Sequence, residues 1–236
     1  MTPTELQSAV DQFHWYHEIN VGQGVITKPR DRFDMSWDLI RDGMASIDLR
    51  NKRVLDIGTR DGKYAFEAEK QGANVDAIDN DLSEGALWLV KHFKSKVDFV
   101  KCNLNEFDAG TPYDVVLFLG VLYHLRYPMW GLRKVSQAVK QGGKLCIETA
   151  LYMKNDLPLL YCPVHKSPYE RTSCSFFNLA GLSETLWSFG ITVKESKPHP
   201  AEDGKMIRRY WIEAEKTHDM PEDLKRYWDS THTSHA

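Results

Sequence analysis

The sequence predicts an α/β fold with a doubly wound, mostly parallel sheet of seven strands, on three observations. Apolar runs alternate with helical stretches from Arg53 to Thr149, the pattern of a parallel sheet with helices on its faces. The first run, Arg53–Ile57, stops at Gly58 and meets a second glycine, Gly62, just before a helix. Glycine lets backbone N–H groups approach a ligand, and a helix start carries partial positive charge. A second run, Val75–Ile78, closes on Asp79, where folds of this kind place an acid that accepts hydrogen bonds from ribose hydroxyls.

Residues 1–50 read as a helical and aromatic extension built around Phe13-His14-Trp15-Tyr16-His17-Glu18. The two histidines and the glutamate have no further ligand cluster to complete a metal site, so Trp15 and Tyr16 are expected to pack on the domain or over a cofactor. Thr27-Lys28-Pro29-Arg30 is an extended connector, and Met35–Ile47 is a helix with Trp37, Ile40, Met44 and Ile47 on one face. Strand Arg53–Ile57 leads to helix Lys63–Gln71, and strand Val75–Ile78 to helix Leu82–Phe93. A third strand, Val97–Cys102, leads to Asn103-Leu104-Asn105. The fourth, Val115–Leu119, is apolar throughout, as suits a strand covered on both faces. After the loop Gly120–Leu125, helix Met129–Lys140 stops at Gln141-Gly142-Gly143, and Lys144–Thr149 is the fifth strand. Residues 151–176 break the pattern and read as a lid or acceptor wall inserted after it. Helix Leu179–Phe189 precedes a closing antiparallel pair, Ile191–Ser196 and Met206–Ala214. The main domain is thus 51–216, followed by a polar tail, 217–236, with a short helix near Glu222–Trp228.

Composition narrows the function classes. A net charge of −3 provides no global basic field for nucleic acid or an acidic membrane. Cys102, Cys146, Cys162 and Cys174 lack paired metal-ligand spacing, and a reduced, cytoplasmic chain is expected. There is no basic-then-apolar leader and no apolar run of about 18 residues, so neither export nor a membrane span is expected.

The glycine loop is not a dinucleotide fingerprint, because G-x-G-x-x-G needs a glycine where Arg60 stands. The run from Asp56 through Gly58 to Gly62 instead resembles motif I of class I S-adenosylmethionine (SAM)-dependent methyltransferases, many of which carry a further glycine at the position of Arg60. Three more stretches resemble bacterial tRNA wobble-uridine carboxymethyltransferases: Gly120-Val121-Leu122-Tyr123-His124 with Pro128, Leu145–Thr149, and Arg171 ahead of Ser175-Phe176-Phe177. The resemblance runs from about Trp37 to Ala214. It implies a Rossmann-like domain in which Asp56, Gly58, Thr59 and Gly62 form the SAM loop and Asp79 with Asn80 holds the ribose. It also implies that Leu104 and Asn105 border the adenine, that Leu119 and Gly120 lie under the methionine tail, and that Tyr123 reaches the transferring group. In the carboxymethylating relatives a tyrosine, an arginine near the last strand and a lysine before a Trp-Asp pair grip the carboxylate of carboxy-SAM. Here Tyr123 and Arg209 stand at two of those positions, and Ser36 replaces the lysine.

Losing a cation beside a buried carboxylate is costly, so SAM and methyl transfer are the first expectation and carboxy-SAM the second. The relatives also carry a sizeable N-terminal domain that this chain lacks, and its first 50 residues are not conspicuously basic, whereas a grip on phosphates comes from Lys and Arg. A small-molecule acceptor (sugar, natural product or metabolite, at oxygen or nitrogen) is therefore expected first and tRNA second. A non-catalytic SAM-binding partner is the third reading. In-line displacement from a sulfonium needs alignment above all. His124 is the candidate base, or else caps the following turn; Glu148 orients His124 or the acceptor, or else accepts backbone N–H groups. Tyr152, His165, Tyr169 and Arg171 are expected to line the acceptor pocket, with Arg171 facing an anionic group.

Overall fold

A computed structural model describes residues 1–29, 36–163 and 165–225. It comprises two compact units, Met1–Phe107 and Asp108–Ala236.

The first unit opens with α1 (Pro3–Val10), started by a capping box in which the side chains of Thr2 and Glu5 each accept the other's backbone N–H. A short hairpin, β1 (Asn20–Gly22) and β2 (Val25–Ile26), follows. In the aromatic cluster the Trp15 indole is buried and donates to the Val10 carbonyl at 2.8 Å, while Tyr16 is exposed. The Trp15 ring fills the space left by Gly85, where a Cβ would come within 2.8 Å of it. Helix α2 (Trp37–Ala45) buries Ile40 and Met44; the expected start at Met35 and the connector's Arg30 lie outside the described residues. Trp37 is only half-buried and stacks on Tyr64 at 6.1 Å, with Lys63 Nζ 3.9 Å from its ring centre.

Then come β3 (Arg53–Ile57), α3 (Lys63–Lys70), β4 (Asn74–Asp79), α4 (Glu84–Phe93) and β5 (Asp98–Lys101), with β3, β4 and β5 paired in parallel. Helix α4 begins two residues later than the apolar pattern suggests because Ser83 caps it, accepting the Gly85 N–H at 3.1 Å.

The second unit holds β6 (Tyr113–Leu119), α5 (Pro128–Ala138), β7 (Val139–Tyr152), β8 (Leu160–Tyr161), β9 (Phe176–Phe177), α6 (Leu179–Ser188), β10 (Ile191–Pro198) and β11 (Ile207–Lys216). The mixed sheet has seven strands, ordered β3-β4-β5 within the first unit and β10-β11-β7-β6 within the second. Strands β6 and β7 are parallel, while β11 runs antiparallel to β7 and β10, the closing pair read from the sequence.

One boundary differs. Helix α5 ends at Ala138 rather than Lys140, and Gln141-Gly142-Gly143 is no helix stop. Tyr113 pairs with Val139 and Val115 with Lys144, so the residues between bulge out of β7. Glycine is needed there: Gly142 has φ +73°, and a Cβ on Gly143 would meet the Lys140 carbonyl oxygen at 2.8 Å. Near the end, residues 222–225 are helical, and the rest of the expected Glu222–Trp228 helix lies outside the described residues. Among the described residues no helix is long and apolar enough to cross a membrane.

Gly85→Ala is expected to push the Trp15 ring from its seat, at a cost of about 1–3 kcal/mol. Urea unfolding followed by tryptophan fluorescence checks this; an unchanged midpoint would show that the ring does not depend on that space.

Candidate functional site

In the first unit the turn after β3 is fixed by its glycines. Gly58 and Gly62 adopt φ +79° and +83°, and a Cβ on Gly62 would stand 2.6 Å from the Phe99 ring. Between them Arg60 holds φ +52°, a conformation that costs a residue with a side chain roughly 1 kcal/mol. That is the position where the resembling enzymes often carry glycine. Here two contacts offset the strain: the Arg60 N–H donates to Asp79 Oδ2 at 2.9 Å, and the guanidinium pairs with Asp81.

Asp79 also accepts the Asp81 N–H on Oδ1 at 2.7 Å. Its carboxylate therefore shapes the loop, and each oxygen keeps a further lone pair for a ligand hydroxyl. Asp56 is buried and its Oδ2 has no hydrogen-bond partner. Burial pushes this carboxyl up to about 7; the Thr59 hydroxyl pulls against that and the charge of Asp79 adds to it. The N–H groups of Gly58 and Thr59 both donate to the Ile78 carbonyl, tying loop to β4. Asn80 is exposed, Leu104 half-buried, and Asn105 sits exposed on a turn closed by its N–H to Asn103 Oδ1 at 2.9 Å. Sequence reasoning missed Asp61. It is fully buried, and its Oδ2 accepts the backbone N–H groups of Tyr16 and His17, the latter at 2.9 Å. The aromatic extension is thus fastened to the glycine loop itself.

In the second unit the side-chain alternation of β7 and β11 puts Glu148, Ala150 and Tyr152 on one face with Ile207, Arg209 and Trp211 opposite them. Small Ala150 lies across from Arg209 and leaves room for it. Arg209 is buried, as is Glu148, and its Nε and Nη2 both bond the Glu148 carboxylate. Its Nη1 donates to the hydroxyls of Tyr123 at 2.7 Å and Tyr169 at 3.2 Å. Burial works against the guanidinium's charge, but Glu148 and the tyrosines hold it protonated well above its ordinary range. Glu202, also missed, is buried and accepts the Arg209 backbone N–H at 2.6 Å. Tyr152 packs against Tyr161 at 5.0 Å in the apolar patch formed by Tyr123, Ala150, Phe176 and Ile207. Gly120, bonded through its N–H to the Glu148 carbonyl, is bare where a Cβ would stand 3.8 Å from Arg209 Nη2 and 3.9 Å from the Tyr123 hydroxyl. Leu119 is buried beside it. The His124 ring lies tilted at 45° against Tyr123, with centres 4.2 Å apart, and its Nε2 lies 3.9 Å from Glu170. Of the expected acceptor wall, Tyr152 and Tyr169 join this cluster; His165 and Arg171 are exposed and do not.

A family model described as "Methyltransferase domain" matches residues 30–196. The chain belongs to the methyltransferase domain family. It is 27% identical over 150 residues to a tRNA U34 carboxymethyltransferase of Helicobacter acinonychis, covering 61% of this chain and 55% of that protein. The like-named protein of Methylococcus capsulatus is 30% identical over 154 residues, covering 63% and 47%. The chain thus spans about half the length of these curated relatives. Among solved structures, the Burkholderia thailandensis 1,6-didemethyltoxoflavin-N1-methyltransferase with bound S-adenosylhomocysteine superposes with a TM-score of 0.58 at 18% identity, covering 85% of this chain and 99% of that one. The N-terminal domain of EvdMO1, determined with S-adenosylhomocysteine and D-fucose, gives 0.68 at 16%, covering 91% and 97%. Such likenesses show the fold, a class I methyltransferase fold as the sequence predicts.

The chain thus carries a methyltransferase domain over residues 30–196, for which SAM is the expected cofactor. The donor set fits that cofactor. Asp56 offers an unpartnered buried carboxylate oxygen to a cationic ligand, Asp79 keeps acceptor capacity for a diol, and two glycines bare the loop backbone. Among the described residues no group of three or more His, Cys, Asp or Glu could hold a metal.

Two outcomes follow. The Asp56 carboxyl ionises near 3.8 when unfolded and near 7 when folded, so rising pH across that window removes stability from the unliganded protein. A cation held against Oδ2 restores it, and the thermal shift on adding SAM is expected to be larger at pH 8 than at pH 6, with the difference gone in Asp56→Asn. Equal shifts in the unsubstituted protein would contradict this. Glu148→Gln leaves the Arg209 charge buried without its counter-ion and is expected to cost about 3–5 kcal/mol in chemical unfolding; a loss below about 1 kcal/mol would mean that the pair is hydrated.

Proposed function

We propose that the chain acts in the tRNA wobble-uridine branch of its family, moving a carboxymethyl group from carboxy-SAM to a uridine of tRNA. One observation carries the reading: the buried Arg209 guanidinium and Tyr123 hydroxyl stand beside bare Gly120. The bonds from Arg209 to Glu148, Tyr123 and Tyr169 use four of its five N–H groups. One Nη2–H remains beyond them, next to the space at Gly120, to meet an anionic group on the donor. The relatives named for U34 carboxymethylation support this acceptor class over the small molecule that charge and composition put first. A cytoplasmic place of action accords with such an acceptor.

In this reading Asp56, Gly58, Thr59 and Gly62 cradle the donor, Asp79 and Asn80 take its ribose, and Leu104 and Asn105 border its adenine. Leu119 and Gly120 bound its amino-acid tail. The sulfonium supplies a carbon already activated for displacement. Tyr123 and Arg209 orient the transferring group, Glu148 holds Arg209 in place, and Tyr152 and Tyr169 wall the acceptor. His124 Nε2 takes the acceptor's proton, with Glu170 placed to favour the charged imidazole. Residues 1–50 serve as an extension packed on the donor-binding unit, and 151–176 as the acceptor wall. A second reading, methyl transfer from SAM to a small acceptor, is favoured by one feature: Ser36, buried, stands where a third carboxylate-gripping cation belongs.

The test is incubation with undermodified tRNA and either donor, followed by nucleoside mass spectrometry. A carboxymethyl gain on the wobble uridine with carboxy-SAM alone is expected. Unaltered tRNA with both donors would sink the proposal and return the search to small acceptors.

A further inference from the structure

We propose that Asp61 is a positioning residue for the donor: through it the N-terminal extension clamps the glycine loop in the shape that receives the cofactor. The inference rests on the reading that this loop cradles a SAM-type donor.

Asp61 lies between Arg60 and Gly62, two residues held in the left-handed region at φ +52° and +83°. A loop with such backbone angles keeps its shape only where surrounding contacts fix it. On one side the Arg60 N–H is bonded to Asp79 at 2.9 Å, and the Gly58 and Thr59 N–H groups to the Ile78 carbonyl, which ties the loop to β4. On the other side the buried Asp61 Oδ2 accepts the N–H groups of Tyr16 and His17. Bonds from backbone N–H groups to a carboxylate are charge-assisted, and burial strengthens them.

The extension does not need Asp61 to hold its own shape. Upstream, Trp15 is seated against Gly85 near the start of α4 and bonded to the Val10 carbonyl. Downstream, buried Thr27 accepts the Ile19 N–H at 2.7 Å and donates to the His17 carbonyl at 2.6 Å, and the His92 ring on α4 meets the Val21 carbonyl at 2.8 Å. Tyr16 and His17 are thus presented to the loop from a frame fixed on both sides of them. Without the Asp61 carboxylate α4 still carries the extension, but the loop loses its clamp. Arg60 is the next residue, so slack at position 61 reaches Asp79, the acid read as the ribose acceptor. Coupling of this kind is reciprocal: what the extension adds to donor binding, the donor returns as protection of the Tyr16 and His17 amides.

Two measurements on the full chain test this, with S-adenosylhomocysteine as the probe. Titration calorimetry is expected to show binding about tenfold weaker in Asp61→Ala and nearly unchanged in Asp61→Asn, which keeps an acceptor oxygen. Hydrogen exchange read by mass spectrometry is expected to slow at the Tyr16 and His17 amides of the unsubstituted chain once the probe is bound, a response that Asp61→Ala loses. An aspartate that served the fold alone would alter the unfolding temperature and neither of these readings. Equal affinity in Asp61→Ala, or exchange at the two amides that ignores the probe, would overturn the proposal. A failure of the unsubstituted chain to bind the probe would overturn the donor reading itself, and the inference with it.

Discussion

An arginine cannot be buried in a sheet unless its charge is answered on the spot, and Arg209 imposes that condition on the second unit. Glu148 answers it from the neighbouring strand, two register positions away on the same face. The two tyrosines take the far side of the guanidinium and Glu202 holds the backbone behind it. Ala150 opposite makes room for the guanidinium, and bare Gly120 alongside leaves space next to it. Strand β7, strand β11, the turn after β6 and the inserted wall each contribute a member, so one ion pair sets where four segments stand.

The first unit is organised by carboxylates as well, but with different partners. Asp79 accepts the backbone N–H groups of Arg60 and Asp81, and Asp61 Oδ2 those of the aromatic extension. Asp56 is left with an oxygen that has no protein partner and a carboxyl pushed up to about 7. A buried carboxyl with one oxygen left unpartnered is a cost that folding alone does not explain. In the proposed function a cationic cofactor meets that oxygen. The same logic accounts for Arg60, which keeps an unfavourable backbone conformation because Asp79 and Asp81 hold both ends of the residue.

Much of the fold was legible in the sequence because its signals are local. Apolar runs of strand length, a glycine turn with a helix after it and an acid at the next strand end fall within about 25 residues of one another. Helix ends set by contacts were less legible: Gln141-Gly142-Gly143 looks like a helix stop until pairing of β7 with Tyr113 shows it to be a bulge. The β8–β9 pair, at two residues per strand, is too short for periodicity to mark. At the site, Tyr123, Glu148, Tyr169 and Arg209 were named from resemblance and position, but nothing in their spacing says that they meet. Asp61 and Glu202 escaped because an acid in a loop reads as solvated unless its backbone partners, 44 residues away for Asp61 and 7 for Glu202, are known. Arg171 and His165 are exposed and stand apart from the Arg209 cluster, since chemical richness in the wall does not mean burial.

The account rests on what the Arg209 cluster is built to hold, and calorimetric titration of the purified chain with SAM and with carboxy-SAM tests that directly. If the remaining Nη2–H and the Tyr123 hydroxyl meet a donor carboxylate, carboxy-SAM binds more tightly by about tenfold, roughly 1.4 kcal/mol, and Tyr123→Phe narrows the gap. Equal affinity, or a preference for SAM, would contradict it and leave Ser36 as the residue that decides the donor.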